Sequence, residues 1–482
     1  MKRKGFTLVE LLAVIAILAI LVIIALPNVL KMYNNAKKNS FLTEAKTLAQ
    51  DVSSKYITES MKGNKITTIS NKQNSLDLSG RNIEYNFDLD SNGKIKRMMV
   101  YDGTYCVVTT GDYTNLKTTD VSEKCSRSVL YKLAGTLSKD FYEIPGDAYA
   151  GLVNSITFYS DGRTVENAEQ CNAEKYCDVS EAQDKSIKMY IRQNSNNLYD
   201  ISIVADGIIA FPKDSSNLFF SHANLKHIIF NDAIDTSKVT NMNYMFGYGD
   251  IETLNVSSFD TSNVTDMGGM FHAVKAPILD LSNFDTSKVT NMGEMFKHCT
   301  AQTIILSSFD TSKVTSMYAM FNNTATSALD LSNFDTSNVT DMAAMFFVNH
   351  AKKITGLNKF DTSKVTDMSE MFSKSEAESL DLSSFVTTNV TNMRSMFYRS
   401  NATEITGLNK FNTSKVTSMR AMFAECQAKA LDLSSFDTSK VTDMDYMFSS
   451  AKTTTGYART QADADKFNAS SEKPSTLTFT VK

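Results

Sequence analysis

From Leu11 to Leu26 the chain runs without a charged residue, and the apolar stretch that contains this run opens at Phe6. As a helix, Phe6 to Leu26 would span roughly 31 Å, enough to cross a hydrocarbon core. Lys2, Arg3 and Lys4 precede it, so the N-terminus is expected to stay cytoplasmic and the remainder to be exported. Leu26-Pro27-Asn28 follows with no small-residue cleavage signal, which argues against an ordinary secretory leader. Glu10 sits inside the apolar run, and a carboxylate at membrane depth demands a partner. Beyond Pro27, Phe41, Ala45, Leu48, Val52 and Tyr56 trace one apolar stripe of an amphipathic helix. Ile83 to Leu89 and Lys94 to Thr109 read as strands joined by the turn Ser91-Asn92-Gly93. Residues from about Val129 to Pro145 read as a linker or domain end. From Ser155 to Phe211 apolar alternation returns, predicting a compact β-rich module.

From Phe246 onward one unit recurs. The dipeptide Met-Phe ends at Phe246, Phe271, Phe296, Phe321, Phe346, Phe372, Phe397, Phe423 and Phe448, at spacings of 25 or 26 residues. In one copy Leu329 and Leu331 flank Asp330, which predicts a short strand with one buried face. Val339, Met342, Met345 and Phe346 follow at helical spacing, which predicts a short helix. The residue before its first Met, Asp341 here, is always a capping type. Strand, turn and short helix repeated in this way predict a solenoid with a Met and Phe core. The two longer copies carry Gly356 and Gly407 at the extra position, expected to be bulges. Rows of Asp (Asp285, Asp310, Asp335) and of Lys (Lys288, Lys313, Lys364) recur three residues apart, predicting a charge-compensated solvated face.

Composition adds exclusions. Among 482 residues there are 24 Met, 29 Phe and no Trp, the bias expected when one unit is copied. The net charge of -4 gives no reason to expect a broad nucleic-acid surface. Six Cys are too few for a disulfide scaffold. Cys171 and Cys177, six apart in a polar loop, are candidates for a disulfide rather than a metal site; Cys299 and Cys426, five units apart, are expected to be core thiols. His222, His227, His272, His298 and His350 show no metal-ligand spacing, and neither a phosphate-cradling loop nor a nucleophile motif is present in the sequence. The expectation is a non-enzyme without cofactor or metal.

The opening Lys2-Arg3-Lys4-Gly5-Phe6-Thr7-Leu8-Val9-Glu10 resembles the type IV pilin and pseudopilin family. That resemblance implies cleavage between Gly5 and Phe6 by a prepilin peptidase and N-methylation of Phe6. It also implies filament assembly in which Glu10 pairs with the Phe6 amine of a neighbouring subunit, so that both charges are desolvated together. It suggests a disulfide between Cys106 and Cys125, two separate buried thiols being the alternative. The repeat Phe334-Asp335-Thr336-Ser337-Asn338-Val339-Thr340-Asp341-Met342-Ala343-Ala344-Met345-Phe346 resembles the BspA-type leucine-rich-repeat surface proteins, which implies surface display and adhesion without a fixed ligand.

The fold expected is α+β: a long N-terminal membrane or pilin helix with a small antiparallel sheet, then a β-rich cap and a leucine-rich-repeat-like solenoid of about nine units. Residues 1–5 would be a leader, 6–27 the transmembrane or filament-core helix, 28–150 a pilin-like domain, 151–230 an N-terminal cap, 231–455 the solenoid and 456–482 a C-terminal cap. The function expected is a minor pilin-like subunit at the bacterial surface, single-pass in the membrane before assembly, displaying an adhesive repeat domain. The alternatives are an unprocessed membrane-tethered adhesin and a pseudopilin of a secretion or DNA-uptake system. Its partners would be the membrane, other pilin subunits, the prepilin peptidase and a host or bacterial surface ligand. Ligand specificity is expected where repeats differ, at Tyr318, Arg394 and Arg420 among others.

Overall fold

The computed structural model describes residues 8–71, 74–78, 83–110, 112–123, 133–141, 151–171, 174–220 and 224–482, with residues 8–31 described as backbone alone. The described chain is mostly β, with several small sheets and two α-helices, α1 (Leu8–Met61) and α2 (Gln461–Asn468). It divides into two compact units, residues 1–132 and 133–482.

In the first unit α1 runs unbroken through Pro27. Its lower stripe is the expected one: Phe41, Ala45, Leu48 and Val52 are buried, and Tyr56 donates its hydroxyl to the Ser91 carbonyl at 2.9 Å. Among the described residues no helix is long and apolar enough to cross a membrane. The stripe covers an antiparallel sheet in the order β1 (Thr68–Ser70), β2 (Glu84–Leu89), β3 (Ile95–Tyr101), β4 (Cys106–Thr109). Asp90 builds the β2–β3 turn by accepting from the Asn92 and Lys94 amides. The single strand expected over Lys94 to Thr109 is in fact two, broken at Asp102, whose carboxylate takes the Thr104 and Tyr105 amides and reverses the chain. Cys106 is disulfide-bonded. Cys125 lies outside the described residues.

The second unit opens at β5 (Leu133–Thr136), in a segment read from the sequence as linker. β5 pairs in parallel with β10 (Ile208–Ala210), and Leu137 and Phe141 are fully buried. The stretch is too short and too polar for its periodicity to register, and a partner 75 residues away is invisible to a local reading. A six-stranded sheet follows in the order β13 (Thr253–Leu254), β11 (His227–Ile229), β6 (Val153–Tyr159), β9 (Tyr199–Ala205), β8 (Ile187–Gln193), β7 (Cys177–Asp178). Pairing is antiparallel from β7 to β9 and parallel from β9 to β13, so the sheet converts hairpin geometry into the parallel geometry of the repeats. Cys171 and Cys177 are joined by a disulfide at its edge.

Beyond it each repeat lays one short strand beside the next in parallel, Leu279 opposite Ile304, Leu329 opposite Ile354 and Leu380 opposite Ile405. The expected short helix is absent from the described repeats; its place is taken by consecutive turns. In the unit of Tyr318 the amides of Met317, Ala319, Phe321 and Asn323 donate to carbonyls of the next unit, while those of Met320 and Asn322 donate three residues back. A helix would close every such bond within its own segment. Here four of the six run between units, so neighbours satisfy each other's main chain. The geometry needs two left-handed residues per unit, at Ala319 and Asn323 here, and their equivalents in all nine units have φ between 50° and 62°. The capping-type residues before the first Met are rungs of a parallel ladder from Asp214 to Asp443, not helix caps. Most turn a side-chain oxygen to the amide two residues on, as Asp341 does to Ala343 at 2.9 Å.

The core is stacked from equivalent side chains. Phe219, Phe246, Phe271, Phe296, Phe321, Phe346, Phe372, Phe397, Phe423 and Phe448 form one near-parallel stack with centroids 5.3–5.9 Å apart. Phe219 therefore opens a tenth, divergent unit, which the sequence search missed because Leu218 stands in the place of Met. Gly356 and Gly407 do not form bulges: each adopts a left-handed φ and leads into one turn of 3-10 helix, and a Cβ on Gly356 would fall 2.5 Å from the Leu331 carbonyl carbon. Cys299 and Cys426 are buried free thiols.

Candidate functional site

The repeat face built by the turns carries the side chains that differ from unit to unit, and each unit's main chain is already satisfied beneath it. Of the positions picked out from the sequence, Tyr318 and Arg394 are exposed and Arg420 is partly so. Arg420 is engaged: it donates to Asp445 at 3.0 Å and lies 5.3 Å from the Tyr446 ring. Farther along the same face Arg399 is held by Glu425 at 2.7 Å and stacks over Tyr398. The structure does not bring Tyr318, Arg394 and Arg420 into one cluster; they mark one position in separate units.

The Asp and Lys rows are organised differently from the charge compensation expected. Asp side chains accept from main-chain amides two residues on, as Asp335 does from Ser337 at 2.9 Å; with the Ser337 hydroxyl bond this holds the carboxyl below its usual range. Lys288, Lys364 and Lys415 reach back one unit to the side-chain oxygens of Asn263, Asn338 and Asn389. Structural weight falls on the Thr between the rows. Thr311, buried, donates to the Asp335 carbonyl and accepts from the Asp335 amide, both at 2.8 Å, and the pattern repeats along the array.

One place on the turn face is assembled across units. Gly269 leaves a gap that the Tyr244 ring occupies; a Cβ there would lie 2.4 Å from that ring. Tyr244 thereby crosses a whole unit and donates its hydroxyl to Glu294 Oε2 at 2.5 Å. Lys297 holds the other carboxylate oxygen at 3.0 Å. His272, 1% exposed, stacks on Tyr248 with centroids 4.1 Å apart. Its Nδ1 is 3.4 Å from Glu294 Oε2 without an aligned hydrogen bond. Burial lowers the His272 pKa to about 4, against the pull of Glu294. Phe220 closes on Tyr248 edge-on at 5.2 Å, and His298 lies 5.4 Å beyond His272. Sequence reasoning missed this cluster. Metal-ligand spacing among the histidines does not reveal it; the usable signal was Gly269, three residues before His272, inside an otherwise bulky repeat.

Gly5 and Phe6 lie outside the described residues, and Glu10 lies in the part of α1 described as backbone alone. Residues 1–26 match the prokaryotic N-terminal methylation motif, the signal of type IV pilin-like surface proteins, which goes with membrane association, pilin partners and prepilin peptidase processing. No curated protein and no solved structure matches the chain. The repeats match one further family model in three overlapping stretches, 213–330, 324–407 and 400–476, which together span more than half of the chain. Those stretches begin at the divergent tenth unit and end just past α2, and on them the chain belongs to the family described as Mycoplasma protein of unknown function, DUF285.

Proposed function

We propose that this chain is a minor subunit of a type IV pilin-like surface filament, and that its repeats form a BspA-type solenoid acting as an adhesive head. One observation carries the reading: an N-terminal methylation motif is joined to a repeat array that satisfies its own main chain and leaves a variable face. A bare tether gains nothing from a carboxylate at position 10, whereas a filament subunit uses Glu10 to meet the Phe6 amine of its neighbour. Stacked repeats suit binding because turn residues can change without disturbing the core. The chain acts by structure and binding, not by catalysis.

The test is peptide mass spectrometry on sheared surface filaments and on membranes, with adhesion of the same filaments to cells and matrix. A peptide beginning at methylated Phe6 in adherent filaments is the expected result. A chain that still begins at Met1 and stays in membranes would leave a tethered repeat protein and overturn the filament reading. Processed filaments that bind nothing would overturn the adhesive one.

A further inference from the structure

We propose that the strip formed by Phe220, Tyr248, His298 and Asn323 binds an uncharged glycan. The inference rests on the adhesive reading above and names the ligand class of one site on the repeat face. Phe220 and Tyr248 expose large aromatic surfaces, 36% and 49% respectively, that the core does not use. Tyr248 is held in place, stacked on buried His272 and braced by Phe220 at 70°. A fixed, exposed aromatic ring suits the apolar C–H face of a pyranose and costs little entropy on binding.

The polar groups farther along the strip, past His272, are a donor and an acceptor without charge. The Asn323 amide donates to His298 Nδ1 at 2.8 Å, which puts the proton of the neutral imidazole on Nε2. His298 thus offers an N–H and Asn323 a carbonyl oxygen, the pairing that vicinal hydroxyls read. Burial lowers the His298 pKa, with Lys297 adding to it, so the ring is neutral near pH 7. The nearby carboxylate of Glu294 is compensated by Lys297. A polyanion such as nucleic acid or a sulfated chain therefore meets no uncompensated cation here, and a cationic peptide no free carboxylate. Aromatic platform, neutral hydrogen-bonding pair and balanced charge together favour a neutral sugar.

The full-length chain in detergent is examined by saturation-transfer-difference NMR with N-acetyllactosamine and chitobiose, and with sialylated N-acetyllactosamine as the charged counterpart. The expected result is transfer from a neutral sugar. Tyr248→Ala and His298→Ala should each weaken binding about tenfold, while Tyr248→Phe and Tyr446→Ala leave it unchanged. No transfer from either neutral sugar, stronger binding of the sialylated one, or binding retained in both Tyr248→Ala and His298→Ala overturns the assignment. Filaments that adhere to cells while showing none of these sugar effects overturn the glycan assignment alone. Filaments that do not adhere overturn the reading beneath it.

Discussion

Asp463 Oδ1 accepts both the hydroxyl of Thr438, at 2.7 Å, and its main-chain amide, at 3.2 Å. In the eight earlier Met-Phe copies the equivalent Thr hydroxyl donates to a main-chain carbonyl of the next unit, as Thr413 does to Asp437. Thr438 has no next unit, and a side chain from α2 takes over. Asp463 is 3% exposed, and its other oxygen is held by Thr460 at 2.6 Å and Arg459 at 3.1 Å. Lys466 closes the Thr438 carbonyl, while Phe467 and Phe479 cover the last ring of the Phe stack, Phe448.

Asp463→Ala should therefore unseal the end of the array. Leaving the Thr438 donors buried and unpaired costs about 2–4 kcal/mol. Hydrogen exchange should speed up at Thr438 and Phe436 while the Val314 amide, deep in the array, keeps its protection. Equal exchange in both places would show that α2 does not seal the end.

Within the array, Thr311→Val keeps shape but removes the oxygen that serves both Asp335 main-chain groups. The expected loss is about 1–3 kcal/mol, seen as a lower denaturant midpoint, with Thr311→Ser recovering most of it. A Val variant as stable as the parent would mean that the ladder bonds contribute nothing.

The buried imidazole of His272 gives a sign for acid sensitivity. Its folded pKa of about 4 lies below the unfolded value of roughly 6.5, so the unfolded chain takes up the proton first. Stability is full above about pH 6.5 and falls as pH drops toward 4, by at most about 3 kcal/mol. Tyr244, Tyr248, His298, Glu294 and Lys297 surround the group, and of these Glu294 opposes the effect. His272→Phe keeps the stack and should flatten the stability profile between these pH values. A profile as steep as the parent's would assign the acid response to other groups.

Val348 occupies a left-handed turn position at φ 52°, where a β-branched side chain is disfavoured. The same position in the preceding unit holds Asn323, whose side chain tolerates that conformation. Val348→Asn is expected to stabilise the array by about 1 kcal/mol, measured as a rise in melting temperature. No change, or a fall, would show that packing of the Val methyls outweighs the backbone strain.

Much of this architecture was legible in the repeat. Met342, Met345 and Phe346 had to be buried because nine copies hold the same apolar types in register, and the parallel strand at Leu329 followed from alternation around Asp330. The lower stripe of α1 was equally plain from its spacing. The turn geometry was hidden because three-residue apolar spacing fits a helix and a pair of β-turns alike. Only the partner of each amide distinguishes them, and that partner lies one unit away. The Thr ladder could have been noticed: Thr stands in all nine copies, whereas the neighbouring Asp gives way to Val386 and Asn412, since the ladder uses only main-chain atoms there.

The methylation motif and the copied unit are local strings, so the sequence by itself determined that a pilin-like start is joined to a stacked repeat core. What only the tertiary structure decided is what meets across units. Tyr244 reaches Glu294 over Gly269, Tyr248 rests on His272, and Asp463 stands in for a missing unit beneath Thr438. Each joins residues about 25 to 50 positions apart, and no local preference encodes such a distance. The pairs exist because parallel stacking converts one repeat length into a single inter-strand step of about 4.8 Å.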